Sequence, residues 1–388
     1  MIDGLREIFE TMNWDLVLTV LPMTFFLCVL LTVIALPEVI RIAFKKQLFD
    51  VPDYRKVHTG QVPRLGGATF LPGIMIAACL AFGFMIEIPL PETTRAEILF
   101  GSAGALFLYM TGVTDDLVGL SYRIKFPIQI IAAFLLCASG LWIDNFHGLL
   151  GIYQIHPAIG IPFSIVLVVL IINAINLIDG IDGLASGLCI LMTTVFAVLF
   201  IKSGLYRYAV LAVAALGVLL PFYIYNVYGT SEKRTKIFMG DAGSLTMGYM
   251  VAAFAIKAAT FAEKHVDLGA DEEFGFIYAF AILIVPVLDV VRLFCHRILH
   301  HRSPFEPDRC HIHHKFLAIG LTIGQARHII IGISLVFFLV NICLAGHVNI
   351  NIILAGDVVL WTLMHIFISR RIHVLQEHHA DCAKNYLE

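Results

Sequence analysis

Charge is scarce in this sequence. Asp, Glu, Lys and Arg make up only 14% of its 388 residues, against roughly 25% in an ordinary soluble domain. A disulfide framework is missing too. The eight cysteines (28, 79, 137, 189, 295, 310, 343 and 382) stand singly, most of them in apolar runs, and no CxxC pair offers a metal site. They read as small core residues. The first residues, Met1-Ile-Asp3-Gly-Leu-Arg6-Glu7, are acidic rather than basic, and no small-residue cleavage site follows the first apolar run. The expectation is therefore no signal peptide and a retained first span. There is no repeat of fixed period, no low-complexity tract and no linker long enough to divide the chain, so residues 1–388 read as one domain. A GxxxxGK[ST] loop is absent as well.

What fills the sequence instead is hydrocarbon. Hydrophobic residues reach 59% and the mean hydropathy is +0.87, the signature of a polytopic membrane protein. About eleven segments are long and apolar enough to span a bilayer, near 16–38, 66–86, 96–113, 127–143, 160–178, 184–202, 206–226, 243–262, 274–296, 325–345 and 349–369. The expected fold is thus an all-α integral membrane protein, with kinks at Pro37, Pro221 and Pro286. With the N-terminus outside, 20 of the 26 basic residues fall in inside loops and the C-terminal tail, leaving Arg6, Arg95, Lys202, Arg207, Lys257 and Lys264 outside. That asymmetry predicts a cytoplasmic C-terminus. The dense polar motifs fall on the same, cytoplasmic, side.

The densest is Asn173-Ala-Ile-Asn176-Leu-Ile-Asp179-Gly-Ile-Asp182-Gly183, at the end of an apolar run. Amides and carboxylates are costly in hydrocarbon, so this cluster marks an aqueous site. If the helix continued to residue 182, the spacing of three would put all four side chains on one side. Amides alone would suit a hydrogen-bonded helix contact; two carboxylates favour a site. Thr114-Asp115-Asp116 ends the third span. Adjacent carboxylates repel, and a hard divalent cation such as Mg²⁺ relieves the repulsion, completing its shell with water and phosphate oxygens. Lys125 supplies a counter-charge that a pyrophosphate could share. Phe238-Met-Gly-Asp241-Ala-Gly-Ser244 brings another carboxylate to a helix entrance, as an N-cap or as a metal ligand, with Phe238 placed to stack on a base or to pack at the interface.

Two loops add cations. Asp53-Tyr-Arg55-Lys56-Val-His58 reads as a basic turn facing anionic lipid, and the following Gly66-Gly67 opens a helix whose backbone N–H groups could approach an anion. Arg309-Cys310-His311-Ile-His313-His314-Lys315 concentrates guanidinium and imidazole. Without a second Cys it is a poor zinc site, and donors to phosphate oxygens fit better.

Asp115-Asp116, the Asn-x-x-Asn-x-x-Asp-Gly-Ile-Asp-Gly run, Phe-Met-Gly-Asp-x-Gly-Ser and His-Ile-His-His stand here in the order found in the polyprenyl-phosphate N-acetylhexosamine-1-phosphate transferases. The chain resembles that family over nearly its whole length. Ser-Pro-Phe-x-Pro-Asp-Arg-x-His-Ile-His-His looks like the WecA/TagO-like branch. The resemblance implies transfer of N-acetylglucosamine-1-phosphate from UDP-N-acetylglucosamine to undecaprenyl phosphate, with UMP released, in the bacterial cytoplasmic (inner) membrane. It implies Mg²⁺, with Mn²⁺ as a substitute, held by Asp241 with Asp115 or Asp116, and Asp115 acting on the lipid phosphate. Asn176 and Asp179 would complete the site. Asp182 and Phe238 would receive uracil, and His311, His313, His314 and Arg309 would grip phosphate and sugar. Asn173, Lys56, His58 and Lys125 are further candidate substrate contacts. No nucleic-acid partner is expected, membrane lipid is, and a homodimer is left open. Alternatives are the phospho-N-acetylmuramoyl-pentapeptide transferase branch, another UDP-N-acetylhexosamine, or, in a different class, a secondary transporter. A transporter needs ionisable groups near mid-bilayer. Asp357 (paired with Asn341 or His365), Asp289 and an outward-snorkelling Lys257 are the few available.

Overall fold

The computed structural model describes residue 14 and residues 16–49, 61–86, 90–265, 273–303 and 310–385. Lys56, His58 and Arg309 lie outside the described residues. Every expected apolar segment forms helix. In order these are α1 (Leu21–Lys46, entered by a π turn Leu16–Val20), α2 (Phe70–Phe84, entered by a 3₁₀ turn Gly66–Thr69), α3 (Glu92–Val118), α4 (Tyr122–Ala138), α5 (Pro157–Ile178), α6 (Leu184–Lys202) and α7 (Tyr206–Tyr228). They continue with α8 (Gly240–His265), α9 (Glu273–Ala281), α10 (Ile284–Leu299), α11 (Ile312–Ala318), α12 (Ile323–Leu344) and α13 (Ile350–Asn385).

Among the described residues nine helices are long and apolar enough to cross a membrane, and α9 with α10 makes a tenth if the bent pair counts as one span. The eleventh expected segment is α4, whose 17 residues fall just short. Pro286, in the first turn of α10, follows the 66° bend between α9 and α10, because a proline cannot supply the N–H that would continue the preceding helix. Pro37 and Pro221 sit inside unbroken α1 and α7.

The packing is organised around α8, the least hydrophobic of the nine. Some 94% of its apolar window is buried, against 22% for α1. Its small residues, Gly243, Ser244, Gly248, Ala252 and Ala255, let α3, α5, α6 and α9 pack closely around it, as helices in lipid require. The outer helices turn Phe26, Leu30, Ile34, Phe107, Leu363 and Phe367 outward, a lipid-facing apolar surface.

At one end of the bundle α3 and α8 are clasped by a buried ion pair. Lys257 Nζ donates to Glu97 Oε1 and Oε2 at 2.9 and 2.8 Å, and Tyr208 Oη of α7 donates to Oε2 at 2.8 Å. Lys257 therefore does not snorkel outward as the sequence suggested: a carboxylate on the neighbouring helix offers it a partner inside. Asp357 takes the partner expected of it, accepting from Asn341 Nδ2 at 3.0 Å.

Candidate active site

At the other end of the bundle the acidic residues of α3 and α8 converge. Asp115, Asp116 and Asp241 each offer a carboxylate oxygen, and these oxygens lie within 4.8 Å of one another. Three negative charges so close require cations, and Lys125 at the start of α4 supplies one. Its ammonium donates to Asp241 Oδ2 at 2.8 Å and Asp115 Oδ2 at 3.3 Å.

Asp116 plays a distinct part. Its Oδ1 accepts the backbone N–H of Asp241 at 2.8 Å and its Oδ2 that of Ala242 at 3.0 Å. It thus caps the first turn of α8 from another helix, satisfying N–H groups that have no partner within their own helix. The approach is possible because residue 240 is glycine. Gly240 takes φ +70°, and a Cβ there would lie 1.9 Å from the Arg64 carbonyl oxygen, with the Asp116 carboxylate next nearest.

The turn into α8 is fixed by the chain before α2. Phe238 N–H donates to the Pro63 carbonyl at 2.8 Å, Gly66 N–H to the Phe238 carbonyl at 3.0 Å and Gly67 N–H to the Met239 carbonyl at 2.8 Å. Gly66 and Gly67 therefore spend their N–H groups on this turn rather than on an anion, which corrects the sequence expectation. Phe238 is half-buried here.

From α5, Asn176 Nδ2 donates to Asp241 Oδ1 at 3.2 Å and to Ser244 Oγ at 2.8 Å. Asn173, one turn earlier, faces elsewhere, its Nδ2 bonded to Gln129 Oε1 of α4 at 2.6 Å and to the Val169 carbonyl at 2.7 Å. The helix does not run on to residue 182. It stops at Ile178, with Asp179 as its C-cap residue, and the chain turns through Gly180 and Gly183. Asp179 is partly buried. Withdrawal from solvent, and then the charge of Asp241, raise its pKa from 3.8 to about 7, with the Arg64 cation opposing. Asp182 lies within this turn, in contact with the Lys236 ammonium, and its carbonyl accepts from Arg327 Nη1 at 3.1 Å. Asn226 ties this turn to the Phe238 loop, accepting from Gly183 N–H at 2.6 Å and donating to the Ile237 carbonyl at 2.8 Å.

The histidine segment closes over the same turn. His313 Nε2 lies 2.2 Å from where a Cβ on Gly180 would sit, so only glycine admits the ring. His311 stacks on His313 at 5.8 Å with planes 7° apart, and His314 is 4.2 Å from His313. Neither ring nitrogen of His313 has a hydrogen-bond partner among the described residues. Burial, then the neighbouring histidines, push its pKa down to about 3. Behind it, Lys315 donates to Ser369 Oγ at 2.9 Å and lies 3.3 Å from His365 Nδ1, pinning α11 to α13.

The comparisons with known proteins fall on this geometry. The sequence profile described as glycosyl transferase family 4 matches residues 98–259. A Bacillus subtilis protein named "Probable undecaprenyl-phosphate N-acetylglucosaminyl 1-phosphate transferase" is 32% identical over 314 residues, covering 80% of this chain and 82% of its own length. The chain belongs to glycosyl transferase family 4. Proteins named undecaprenyl-phosphate alpha-N-acetylglucosaminyl 1-phosphate transferase are 31% identical in Haemophilus influenzae, covering 74% of this chain and 77% of the relative, and 28% identical in Escherichia coli K12, covering 74% and 73%.

The family 4 match runs from within α3 into α8 and so holds Asp115, Asp116, Asp179, Asp182 and Asp241, while the histidine segment lies beyond it. Of the residues singled out in the sequence, the structure brings Asp115, Asp116, Lys125, Asn176 and Asp241 into one bonded cluster, with Asp179 beside it. Phe238 and Asp182 lie in the loops flanking this cluster, and His313 packs on Gly180, next to Asp179, with the His311 and His314 rings against it. Asn173 is turned away toward Gln129. Sequence reasoning missed Ser244 and Asn226 as binders of these loops, and Asp289 of α10 as the anchor of His311. Asp289 had a visible signal, a carboxylate three residues before Arg292 on an apolar helix, but it pointed equally to transport.

Proposed function

We propose that this family 4 protein transfers N-acetylglucosamine-1-phosphate from UDP-N-acetylglucosamine to undecaprenyl phosphate, giving undecaprenyl-diphospho-N-acetylglucosamine and UMP. The carrying observation is the convergence of Asp115, Asp116 and Asp241 from two helices within 4.8 Å; the relatives' names, which give undecaprenyl phosphate and an N-acetylglucosaminyl 1-phosphate group, support the choice of acceptor and transferred group.

The donor set suits a hard divalent cation, since it consists of carboxylate oxygens. The bridging Lys125 marks the place where positive charge is wanted. Asp241 and Asp115 would hold Mg²⁺, or Mn²⁺ in its stead, with Asp116 contributing lone pairs not used by the cap. Bound there, the ion supplies charge neutralisation for the diphosphate.

The chain's own residues do the rest. An oxygen of the lipid phosphate attacks the β-phosphorus of the sugar nucleotide, and the bond from that phosphorus to the bridging oxygen breaks as UMP leaves. One phosphoanhydride replaces another, so positioning and charge stabilisation suffice. In this reading Asp115 orients the lipid phosphate and accepts any proton it carries. Asn176 fixes the rotamer of Asp241, and Lys125 meets developing charge on the phosphates. His311, His313 and His314 bind the diphosphate and sugar, while Asp182 and Phe238 receive uracil. In this reading the chain crosses the membrane eleven times with its N-terminus outside, and the site faces the cytoplasm, where the basic loops lie.

The test presents purified protein in detergent with undecaprenyl phosphate and a panel of UDP-sugars. The expected result is UMP and a labelled lipid with UDP-N-acetylglucosamine alone. Product with the muramoyl-pentapeptide donor would move the protein to that branch, and no UMP with any donor would overturn the reading.

A further inference from the structure

Asp289 lies on α10 with a side chain only 1% exposed, and it takes part in none of the chemistry above. Four hydrogen bonds from three residues converge on it. His311 Nδ1 lies 2.9 Å from Oδ2, Arg292 Nη2 donates to Oδ1 at 2.9 Å, and Ile312 N–H is shared between the two oxygens at 3.2 and 3.3 Å. The same Arg292 nitrogen also donates to the Cys310 carbonyl at 2.6 Å. One membrane helix thus grips three consecutive residues, 310, 311 and 312, at the point where the histidine segment begins.

An ionised carboxylate can only accept, so the contact requires the proton of His311 to sit on Nδ1. The other nitrogen, Nε2, is left free for something else. A carboxylate behind an imidazole fixes its tautomer and ring orientation. The opposite face of the imidazole already has its neighbour, the parallel ring of His313 that lies over Gly180. The His311 ring is therefore held in one pose by a carboxylate at one nitrogen and by a stacked ring on one face.

The geometry points to Asp289 as a positioning residue that presents His311 Nε2 to the diphosphate of the sugar nucleotide. This rests on the transferase reading. Arg292 serves the pair by compensating the buried charge of Asp289 and by holding the backbone at Cys310. Asp289 also ties the start of α11 to α10 through Ile312, but its effect on the reaction passes through His311, and that separates it from a carboxylate that serves only as a tie. A structural tie would serve His313 and His314 as much as His311.

A double-mutant cycle distinguishes the two. Asp289→Asn should lower kcat/KM for UDP-N-acetylglucosamine by about 10- to 100-fold, the range for removing a carboxylate that orients an imidazole. In a His311→Ala background the same substitution should change it less than about threefold. An equal loss in both backgrounds, or no loss in either, overturns the proposal. If Asp289→Asn does not fold, nitrogen-15 NMR of the wild-type protein answers instead, with the His311 signals assigned by their disappearance in His311→Ala. Nδ1 should carry a proton, and a ring protonated only at Nε2 overturns the assignment. Wild-type protein that releases no UMP would sink the transferase reading, and the nitrogen-15 signals would still decide whether Asp289 fixes the His311 tautomer.

Discussion

Asp116 on α3 accepts the backbone N–H of Asp241 at 2.8 Å, so one carboxylate of the cluster builds the helix terminus that carries another. The two acidic residues at 115 and 116, adjacent in sequence, are not equivalent. Asp115 Oδ1 accepts from Leu120 N–H within its own loop and Oδ2 meets Lys125, whereas both oxygens of Asp116 reach across to α8.

Replacing each by alanine should separate the roles. Asp116→Ala leaves two buried N–H groups of α8 without their acceptor, at about 1 kcal/mol or more each, so it should lower the thermal midpoint as well as abolish turnover. Asp115→Ala should abolish turnover with a smaller change in midpoint. Thermal unfolding in detergent beside UMP release checks this, and equal midpoints for the two variants would remove the capping role.

Asp179 carries a pH prediction. With its pKa raised from 3.8 to about 7 in the folded chain, the folded state holds a proton that the unfolded state has released. Its contribution to stability therefore falls as pH rises from about 4 to about 7 and is flat above. Asp179→Asn removes that dependence. In the presence of a chelator, the midpoint of the variant relative to wild type should rise between pH 5 and pH 8. A constant difference would mean that Asp179 ionises normally.

At the far end of the same two helices, Lys257→Met should strand the buried Glu97 carboxylate and cost about 3 kcal/mol, as breaking a buried pair does. Adding Glu97→Gln should restore most of that loss. Denaturant titration of the single and double variants measures it, and additive losses would contradict a coupled pair.

How much of this was legible in the sequence differs from residue to residue. Asp115, Asp116 and Asp241 stood out because carboxylates beside apolar runs are exceptional, and the helices followed from hydrophobic length alone. Partners across long sequence separations were not legible. Helical spacing put Asn173 and Asn176 on one face, but Gln129 of α4 takes the first and Asp241 the second. The stop at Ile178 was hidden behind the apolar Ile-Leu pattern, since Gly180 is needed for the close approach of His313 from a segment more than a hundred residues away. Lys257 looked like a snorkelling cation because nothing local announced Glu97.

The central claim is that carboxylates from α3 and α8 form one divalent-cation site serving the sugar nucleotide. Titrating Mn²⁺ into the purified protein with UDP-N-acetylglucosamine present, and following free Mn²⁺ by electron paramagnetic resonance, tests it most directly. The account predicts one site per chain, lost in Asp241→Asn and weakened at least tenfold in Asp115→Asn. Binding that is unchanged in both variants would contradict it.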